Sequence, residues 1–103
     1  MKNESLRFQD GADNDVELLS FDPDTGFRVT RRRLSAGFVA PKHRHSDFEW
    51  VYIIEGQLED EFGSYPQGTF KINAKGSVHK SRSQNGCTLL TFTRAHRESI
   101  DES

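Results

Sequence analysis

The stretch Gly37–Gly56, GFVAPKHRHSDFEWVYIIEG, holds the densest structural and chemical information in the chain. Alternate residues of an extended strand point to the same face, so His43, His45 and Glu49 can all point inward together. Two imidazoles and a carboxylate that converge on one point are suitable ligands for a divalent transition metal. A fourth ligand must come from elsewhere in the chain, and His79 is the clearest candidate.

Length and composition disfavour several classes of protein. The 103 residues suffice for one small domain, and the formal net charge of -2 favours neither nucleic-acid binding nor attachment to an anionic membrane. The single cysteine, Cys87, excludes a disulfide within the chain, which is typical of intracellular proteins. No apolar run is long enough for a signal peptide or a membrane span, so we expect a cytoplasmic protein.

The order of turns and apolar runs predicts a polar N-terminal arm over residues 1–15, a β domain over 16–93 and a charged tail over 94–103. Residues 16–21 and 27–34 alternate as strands around the turn signal Asp22-Pro23-Asp24-Thr25-Gly26, which predicts a hairpin. Further strands are expected at 49–55, 58–62, 69–72 and 87–92, with turns at 56–57, 63–68, 73–76 and 81–86. Short strands with Gly/Pro turns, and no convincing amphipathic helix, predict an all-β sandwich, barrel or jelly roll.

Residues 49–55 (EWVYIIE) are apolar on both faces after Glu49, so both faces should be covered. Val51 and Ile53 share the face of the candidate ligands. The opposite face carries Trp50, Tyr52 and Ile54, which a second sheet or a partner subunit would cover. The run Arg31-Arg32-Arg33 is interpreted as a solvated strand face or a guard against edge pairing, with an anion site as the alternative.

The spacing of glycines and histidines resembles the two signature motifs of the cupin superfamily. In the first motif, Gly37, His43, His45, Glu49 and Gly56 follow the pattern without a gap. The second motif is represented by Gly68, Gly76 and His79. Here Ala74 replaces the usual proline and Ser83 the usual asparagine. Neither departure affects a candidate ligand.

The amino-acid sequence of the second half of the chain is similar to the sequences of the ChrR-like cupin subgroup. The residues that carry this similarity are Gly56, Gly63, Tyr65, Gly68, Gly76, His79, Gly86 and Cys87. That subgroup includes the cupin domain of an anti-sigma factor and is similar to a dioxygenase that cleaves β-diketones. The resemblance implies a small double-stranded jelly-roll barrel that forms a homodimer.

The resemblance also implies one metal ion per chain, of zinc, iron, manganese or nickel. Carried over by position, its ligands are His43, His45, Glu49 and His79. Glu49 could instead lie behind a three-histidine site, and His79 could be a structural histidine. His96 is interpreted as a surface residue. The other expected lining residues are Phe38, Val51, Ile53, Phe70 and Cys87, although Cys87 is more typical of a small buried hydrophobic side chain.

These features support two functional hypotheses. The first is a metal-dependent enzyme acting on a small organic molecule, of the dioxygenase type, in which no residue beyond the metal ligands is assigned a catalytic role. The second is a non-catalytic, ChrR-like metal-binding sensor or regulatory module. A metal-free small-molecule binder is a third option, which the complete ligand set disfavours.

Overall fold

The structure is a computed structural model that describes residues 6–9, 14–94 and 97–99, with side chains from 15 to 94. Within these described residues there are twelve strands and no helix. The strands are β1 (Leu6–Gln9), β2 (Asn14–Phe21), β3 (Arg28–Leu34), β4 (Phe38–Val39), β5 (His43–His45), β6 (Glu49–Asp60), β7 (Gly63–Pro66), β8 (Phe70–Asn73), β9 (Val78–His79), β10 (Arg82–Ser83), β11 (Cys87–Thr93) and β12 (Arg97–Ser99).

The strands form two antiparallel sheets that together make a small barrel. The larger sheet has the order β1-β2-β3-β11-β6-β10-β4, with β7 and β8 also paired to β6, and the smaller sheet has the order β12-β5-β9. The predicted all-β jelly-roll barrel is therefore confirmed. No helix in the described part of the chain is long and apolar enough to cross a membrane.

The predicted hairpin at the start of the domain is formed by β2 and β3. Asp22 closes its turn, because its carboxylate accepts hydrogen bonds from the backbone N–H of Asp24 (3.1 Å) and the hydroxyl of Thr25 (2.8 Å). This is the turn chemistry that the sequence indicated.

The predicted turn at 56–57 is wrong, because β6 runs without a break from Glu49 to Asp60. Its first part pairs with β11 and β8, and its last residues pair with β7 and β10. Gly56, at φ +80°, marks the change of partners, and a Cβ atom there would lie 2.3 Å from the carbonyl oxygen of Gly86. The expected loop at 63–68 is likewise mostly strand β7, which returns along the end of β6.

The two faces of β6 differ as the alternation predicted. Val51 and Ile53 are buried and pack in the core, together with Leu34, Leu58, Cys87 and Leu89. Tyr52 and Ile54 face outward and are 39% and 36% exposed. The expectation that Phe70 lines the interior is wrong. Its neighbour across the strands is Tyr52, so it shares the outward face and is 57% exposed.

Two strands lie outside the range predicted for the barrel. β1 pairs with β2 at one end of the larger sheet, and β12 pairs with β5 in the smaller sheet. Parts of the predicted arm and tail therefore belong to the sheets, while the division into arm, barrel and tail stays a prediction.

Candidate metal centre

Two short paired strands bring the candidate histidines together. In β5, His43 and His45 are buried while Arg44 between them is exposed, as expected for a strand with one inward face. Strand β9 lies antiparallel to β5, with His79 directly opposite His43. The turn before β9 is fixed by a hydrogen bond from the backbone N–H of Gly76 to the carbonyl oxygen of His45 (2.8 Å).

The three imidazoles meet through their Nε2 atoms. The Nε2 atom of His79 is 2.8 Å from that of His43 and 2.9 Å from that of His45. All three side chains are buried, and they form a group of potential ligands whose ligand atoms lie within 4.8 Å of one another. The structure thus brings together three of the four ligands predicted from the sequence.

The hydrogen-bond acceptors next to the Nδ1 atoms of His43 and His79 determine the tautomers of these two rings. Nδ1 of His43 is 3.0 Å from the carbonyl oxygen of Pro41, and Nδ1 of His79 is 3.2 Å from Oδ2 of Asp60. Both partners can only accept a hydrogen bond, so both Nδ1 atoms carry the proton. In the neutral rings, the Nε2 atoms then present lone pairs that face each other, and a cation bound between them would stabilise this arrangement.

The spacing of these nitrogens fits a metal ion. Two nitrogens that are each about 2.0–2.1 Å from one ion lie about 2.9 Å apart at an angle of 90° and about 3.4 Å apart at a tetrahedral angle. The observed 2.8 and 2.9 Å therefore match angles of about 90° between His79 and each of the other two imidazoles on a five- or six-coordinate ion. That geometry leaves further coordination positions for other ligands.

Asp60 is a member of the site that the sequence analysis missed. It stands in the acidic run Glu59-Asp60-Glu61, and no spacing distinguishes it from its neighbours. Its side chain is nearly fully buried, and Oδ2 contacts Nδ1 of His79 and Nζ of Lys71, both at 3.2 Å. It therefore orients the ring of His79, as acceptors behind metal-binding histidines do.

Hydrogen bonds keep the Asp60 carboxylate ionised in spite of its burial. Burial alone would raise its pKa. The donors outweigh it and lower the pKa to about 2. These donors are the backbone N–H of Phe62, the hydroxyl of Tyr65 and the groups of His79 and Lys71. Burial and the hydrogen bond to Asp60 raise the pKa of Tyr65 to about 12, so this phenol stays protonated as a donor.

Glu49 lies next to the three histidines but outside their group. Its Oε1 atom is 3.8 Å from Nδ1 of His45 and accepts a hydrogen bond from Nδ2 of Asn73 (3.0 Å). It thus faces the side of His45 opposite Nε2, the arrangement that the sequence analysis held as an alternative. Its role as a fourth metal ligand stays a prediction.

A small cavity of about 40 Å³ adjoins the site inside the barrel. Its lining includes His43, His79 and Glu49, together with the expected Phe38 and Val51. Ile53 and Cys87 belong to the packed core and do not line it. Burial raises the pKa of the Cys87 thiol, and a hydrogen bond from Ser83 partly opposes the shift, so Cys87 is a buried small side chain. His96 lies outside the described residues.

Solved structures with similar folds agree with this architecture. An RmlC-like cupin protein from Ralstonia eutropha JMP134 superposes with a TM-score of 0.84 at 18% identity, covering 96% of this chain and 68% of that one. An acetylacetone dioxygenase from Acinetobacter johnsonii gives a TM-score of 0.79 at 16% identity, over 95% of this chain and 72% of that one.

The anti-sigma factor ChrR of Rhodobacter sphaeroides, in complex with SigE, gives a TM-score of 0.76 at 18% identity. The similarity covers 85% of this chain and 49% of that one, so the chain spans about half of it. It likewise spans 60% of a cupin-like protein of unknown function from Ralstonia eutropha JMP134. At these identities the similarity shows the fold.

Among curated proteins, none matches the chain by sequence. The family model for the ChrR cupin-like domain matches residues 2–97, which is nearly the whole chain. This match includes both histidine motifs and every strand of the barrel from β1 to β11. The chain belongs to the ChrR cupin-like domain family.

Proposed function

We propose that the chain holds one divalent transition-metal ion through His43, His45 and His79 and uses it as the centre of an enzyme of the dioxygenase type. The observation that supports this most directly is the pair of inward Nε2 lone pairs 2.8 Å apart on rings whose Nδ1 atoms face acceptors. The proposed ion is zinc, iron, manganese or nickel, since imidazole and carboxylate ligands suit all four.

Such an ion would supply Lewis-acid or redox chemistry to a small organic molecule bound at its open positions. The protein's own contribution is orientation and the exclusion of bulk water. Pro41 and Asp60 hold two imidazoles in the tautomer that binds metal, and the apolar side chains Phe38 and Val51 shield the adjoining cavity. The cavity lining also includes Glu49, Ser81 and Thr91. The proposal assigns them no catalytic role, so the chemistry is carried by the metal and its ligand set.

Support for the oxidative reaction comes from the fold shared with the acetylacetone dioxygenase. That activity is transferred to this chain as part of the proposal, because a shared fold at 16% identity does not define a substrate. A second candidate function is a metal-binding regulatory module without turnover. The match to the ChrR cupin-like domain favours it.

Metal analysis of the purified, tag-free protein tests both functions. We expect about one ion per chain in the parent protein and its loss in His79→Ala. Iron, manganese or nickel together with oxygen uptake in a screen of β-diketones supports the enzyme. Stoichiometric zinc without turnover supports the regulatory module. A parent protein that remains metal-free after reconstitution would refute the metal centre.

Glu49→Gln in the cobalt-substituted protein decides the role of that residue. If Glu49 is a ligand, the variant changes the visible spectrum of the cobalt form because the coordination changes. If Glu49 acts behind His45, we expect the spectrum to persist and metal affinity to fall by about 10- to 100-fold.

We also propose that the chain forms a homodimer in the cytoplasm. The outward sheet face supports dimerisation, because Tyr52 lies beside Phe70 and the next pair on the same face joins Trp50 to Ile72. Phe70 and Ile72 are 57% and 56% exposed, which makes a contiguous apolar surface across β6 and β8. The cytoplasmic location rests on the cysteine content of the sequence.

A further inference from the structure

Strand β8 points its polar side chains inward and its apolar side chains outward. Phe70 and Ile72 are more than half exposed, whereas Lys71 and Asn73 lie on the opposite, inward face of the strand. The register fixes this orientation, because Lys71 lies opposite the buried Val51 on β6. A lysine is rarely placed inside a protein unless its charge is paired, so the partners of Lys71 indicate its role.

Lys71 pairs with the carboxylate that supports His79. Its Nζ atom lies 3.2 Å from Oδ2 of Asp60, and the two side chains are only 12% and 2% exposed. Tyr65 holds both members of this pair. Its hydroxyl donates to Oδ1 of Asp60, and Nζ of Lys71 lies 3.9 Å from the centroid of its ring. The ammonium group is therefore fixed beside the carboxylate.

The Oδ2 atom of Asp60 accepts from two donors at the same time. Nζ of Lys71 and Nδ1 of His79 both lie 3.2 Å from it. The ammonium charge offsets the charge of the carboxylate, and its proton competes with the Nδ1–H group for the same oxygen. Both effects reduce the negative charge that Asp60 projects onto the imidazole, and hence the electron density at the Nε2 atom that faces the metal site.

The second carboxylate beside the histidines has a neutral support. Asn73, also on β8, donates from Nδ2 to Oε1 of Glu49, which lies 3.8 Å from Nδ1 of His45. An amide orients a carboxylate without offsetting its charge. Orientation alone therefore does not require a cation, and the lysine beside Asp60 adds an effect of charge.

We propose that Lys71 is a positioning residue that acts through Asp60, and that its charge lowers the affinity of the three-histidine site for a divalent ion and disfavours a higher oxidation state of that ion. This inference rests on the metal centre of the proposed function. It deepens that proposal, because an ion that receives less electron density from its ligands is a stronger Lewis acid toward a bound molecule.

Calorimetric titration of cobalt into the metal-free protein tests the inference through the sign of the change. Lys71→Met removes the charge and keeps an unbranched side chain of similar size. A unit charge about 10 Å from a divalent ion, at an effective dielectric constant between those of protein and water, changes the affinity by about 10- to 100-fold. We expect an increase of that size in Lys71→Met. If Lys71 only orients Asp60, the affinity should instead stay the same or fall.

The reduction potential of the iron-loaded protein supplies a signal that a purely structural role would not change. Loss of the ammonium charge favours Fe³⁺ over Fe²⁺, because the ferric ion carries the larger positive charge. We expect this preference to increase by about 3- to 10-fold in Lys71→Met, so the potential of the one-electron couple should fall by about 30–60 mV.

Three further variants serve as controls. Lys71→Arg keeps the charge, so its cobalt affinity and iron potential should stay near those of the parent. Lys75→Met removes the same charge from an exposed residue in the turn before β9, where solvent screens it, and should change cobalt affinity by less than about threefold. If Lys71→Met does not fold, as judged by circular dichroism, Lys71→Gln carries the comparison, because its amide is a donor without a charge.

The outcomes separate the inference from the metal centre. Unchanged or lower cobalt affinity in the folded, uncharged Lys71 variant, or an unchanged iron potential, overturns the role of Lys71 alone. An equal rise in affinity in Lys75→Met also overturns it, because net charge would then explain the effect. Failure of the parent protein to bind cobalt overturns the metal centre, and the inference falls with it.

Discussion

The replacement Asp60→Asn tests how the barrel supports its histidine cluster. The side chain is nearly fully buried, and its two oxygens have different partners. Oδ1 accepts hydrogen bonds from the backbone N–H of Phe62 (2.9 Å), the backbone N–H of Gly63 (3.1 Å) and the hydroxyl of Tyr65 (2.9 Å). Oδ2 faces Nζ of Lys71 and Nδ1 of His79.

An asparagine can satisfy only one of these two sides. Its carbonyl oxygen must take the place of Oδ1, where three donors meet, so its NH₂ group replaces Oδ2 and faces two further donors. Lys71 and His79 then lose their acceptor in a buried environment. Each lost charge-assisted interaction costs about 1.5–3 kcal/mol. We therefore expect the free energy of unfolding to fall by about 3–5 kcal/mol.

Asp47→Asn is a closely matched control. The Asp47 carboxylate also receives a backbone N–H on one oxygen (Phe48, 2.8 Å) and a cation on the other (Arg94, 2.7 Å). The difference is solvent, because the side chain of Arg94 is 61% exposed. An exposed pair of this kind contributes little to stability, so we expect Asp47→Asn to destabilise the protein far less than Asp60→Asn does.

Urea denaturation of the metal-free proteins measures the stability difference, and calorimetric titration with cobalt measures the effect on the site. Because His79 loses the acceptor that orients its ring, metal affinity should fall about 10- to 100-fold in Asp60→Asn and remain unchanged in Asp47→Asn. A loss of less than about 1 kcal/mol in Asp60→Asn, with unchanged metal affinity, would refute the supporting role of Asp60.

Three further predictions concern the backbone, the outer face and the metal. Gly56→Ala should lower the free energy of unfolding by about 2–4 kcal/mol, because the added Cβ would meet the carbonyl oxygen of Gly86 and the residue has a positive φ. Gly37→Ala is the control: its φ is +88° but the surrounding space is open, so it should lower the free energy of unfolding by only about 1 kcal/mol. Equal losses of the two variants in urea denaturation would contradict this reasoning. Ile72→Asp should convert the dimer to monomers in analytical sedimentation, because it places a charge on the exposed apolar face. Phe62→Ser, at the turn between β6 and β7, should leave the dimer intact. A parent protein that is monomeric at micromolar concentration would exclude the proposed dimer. At a free-metal concentration 100 times the Kd, the bound metal should raise the free energy of unfolding by about 2.7 kcal/mol, and a chelator should remove this stabilisation. A denaturation midpoint that does not change on chelation would contradict a metal site that exists in the folded protein.

The sequence predicted the elements whose information is local. Alternation between the faces of residues 49–55 gave the inward Val51 and Ile53 and the outward Tyr52 and Ile54, and the structure confirms all four. The spacing of His43 and His45 placed both on one face because a strand has a period of two, and this also holds. The hairpin between β2 and β3 followed from a turn with strong residue preferences.

The errors occurred where partners distant in sequence override a local signal. Gly56 looks like a turn because glycine favours one, but β11 pairs through this position and the glycine instead allows close contact with Gly86. The assignment of Phe70 to the interior rested on parity along the strand and on analogy with the family. The face of Phe70 is set by its register with Tyr52, which no pattern within four residues reveals.

The candidate site illustrates the same limit in chemical terms. Histidines can be predicted from a motif because metal binding restricts the residue type and the spacing. The groups behind the rings are less restricted, since a backbone carbonyl (Pro41) and a carboxylate (Asp60) perform the same task here. Only the proximity of an acceptor to Nδ1 is required, so neither group leaves a sequence signature. The tautomers of His43 and His79, and hence the inward lone pairs that favour a metal, are therefore a property of the fold.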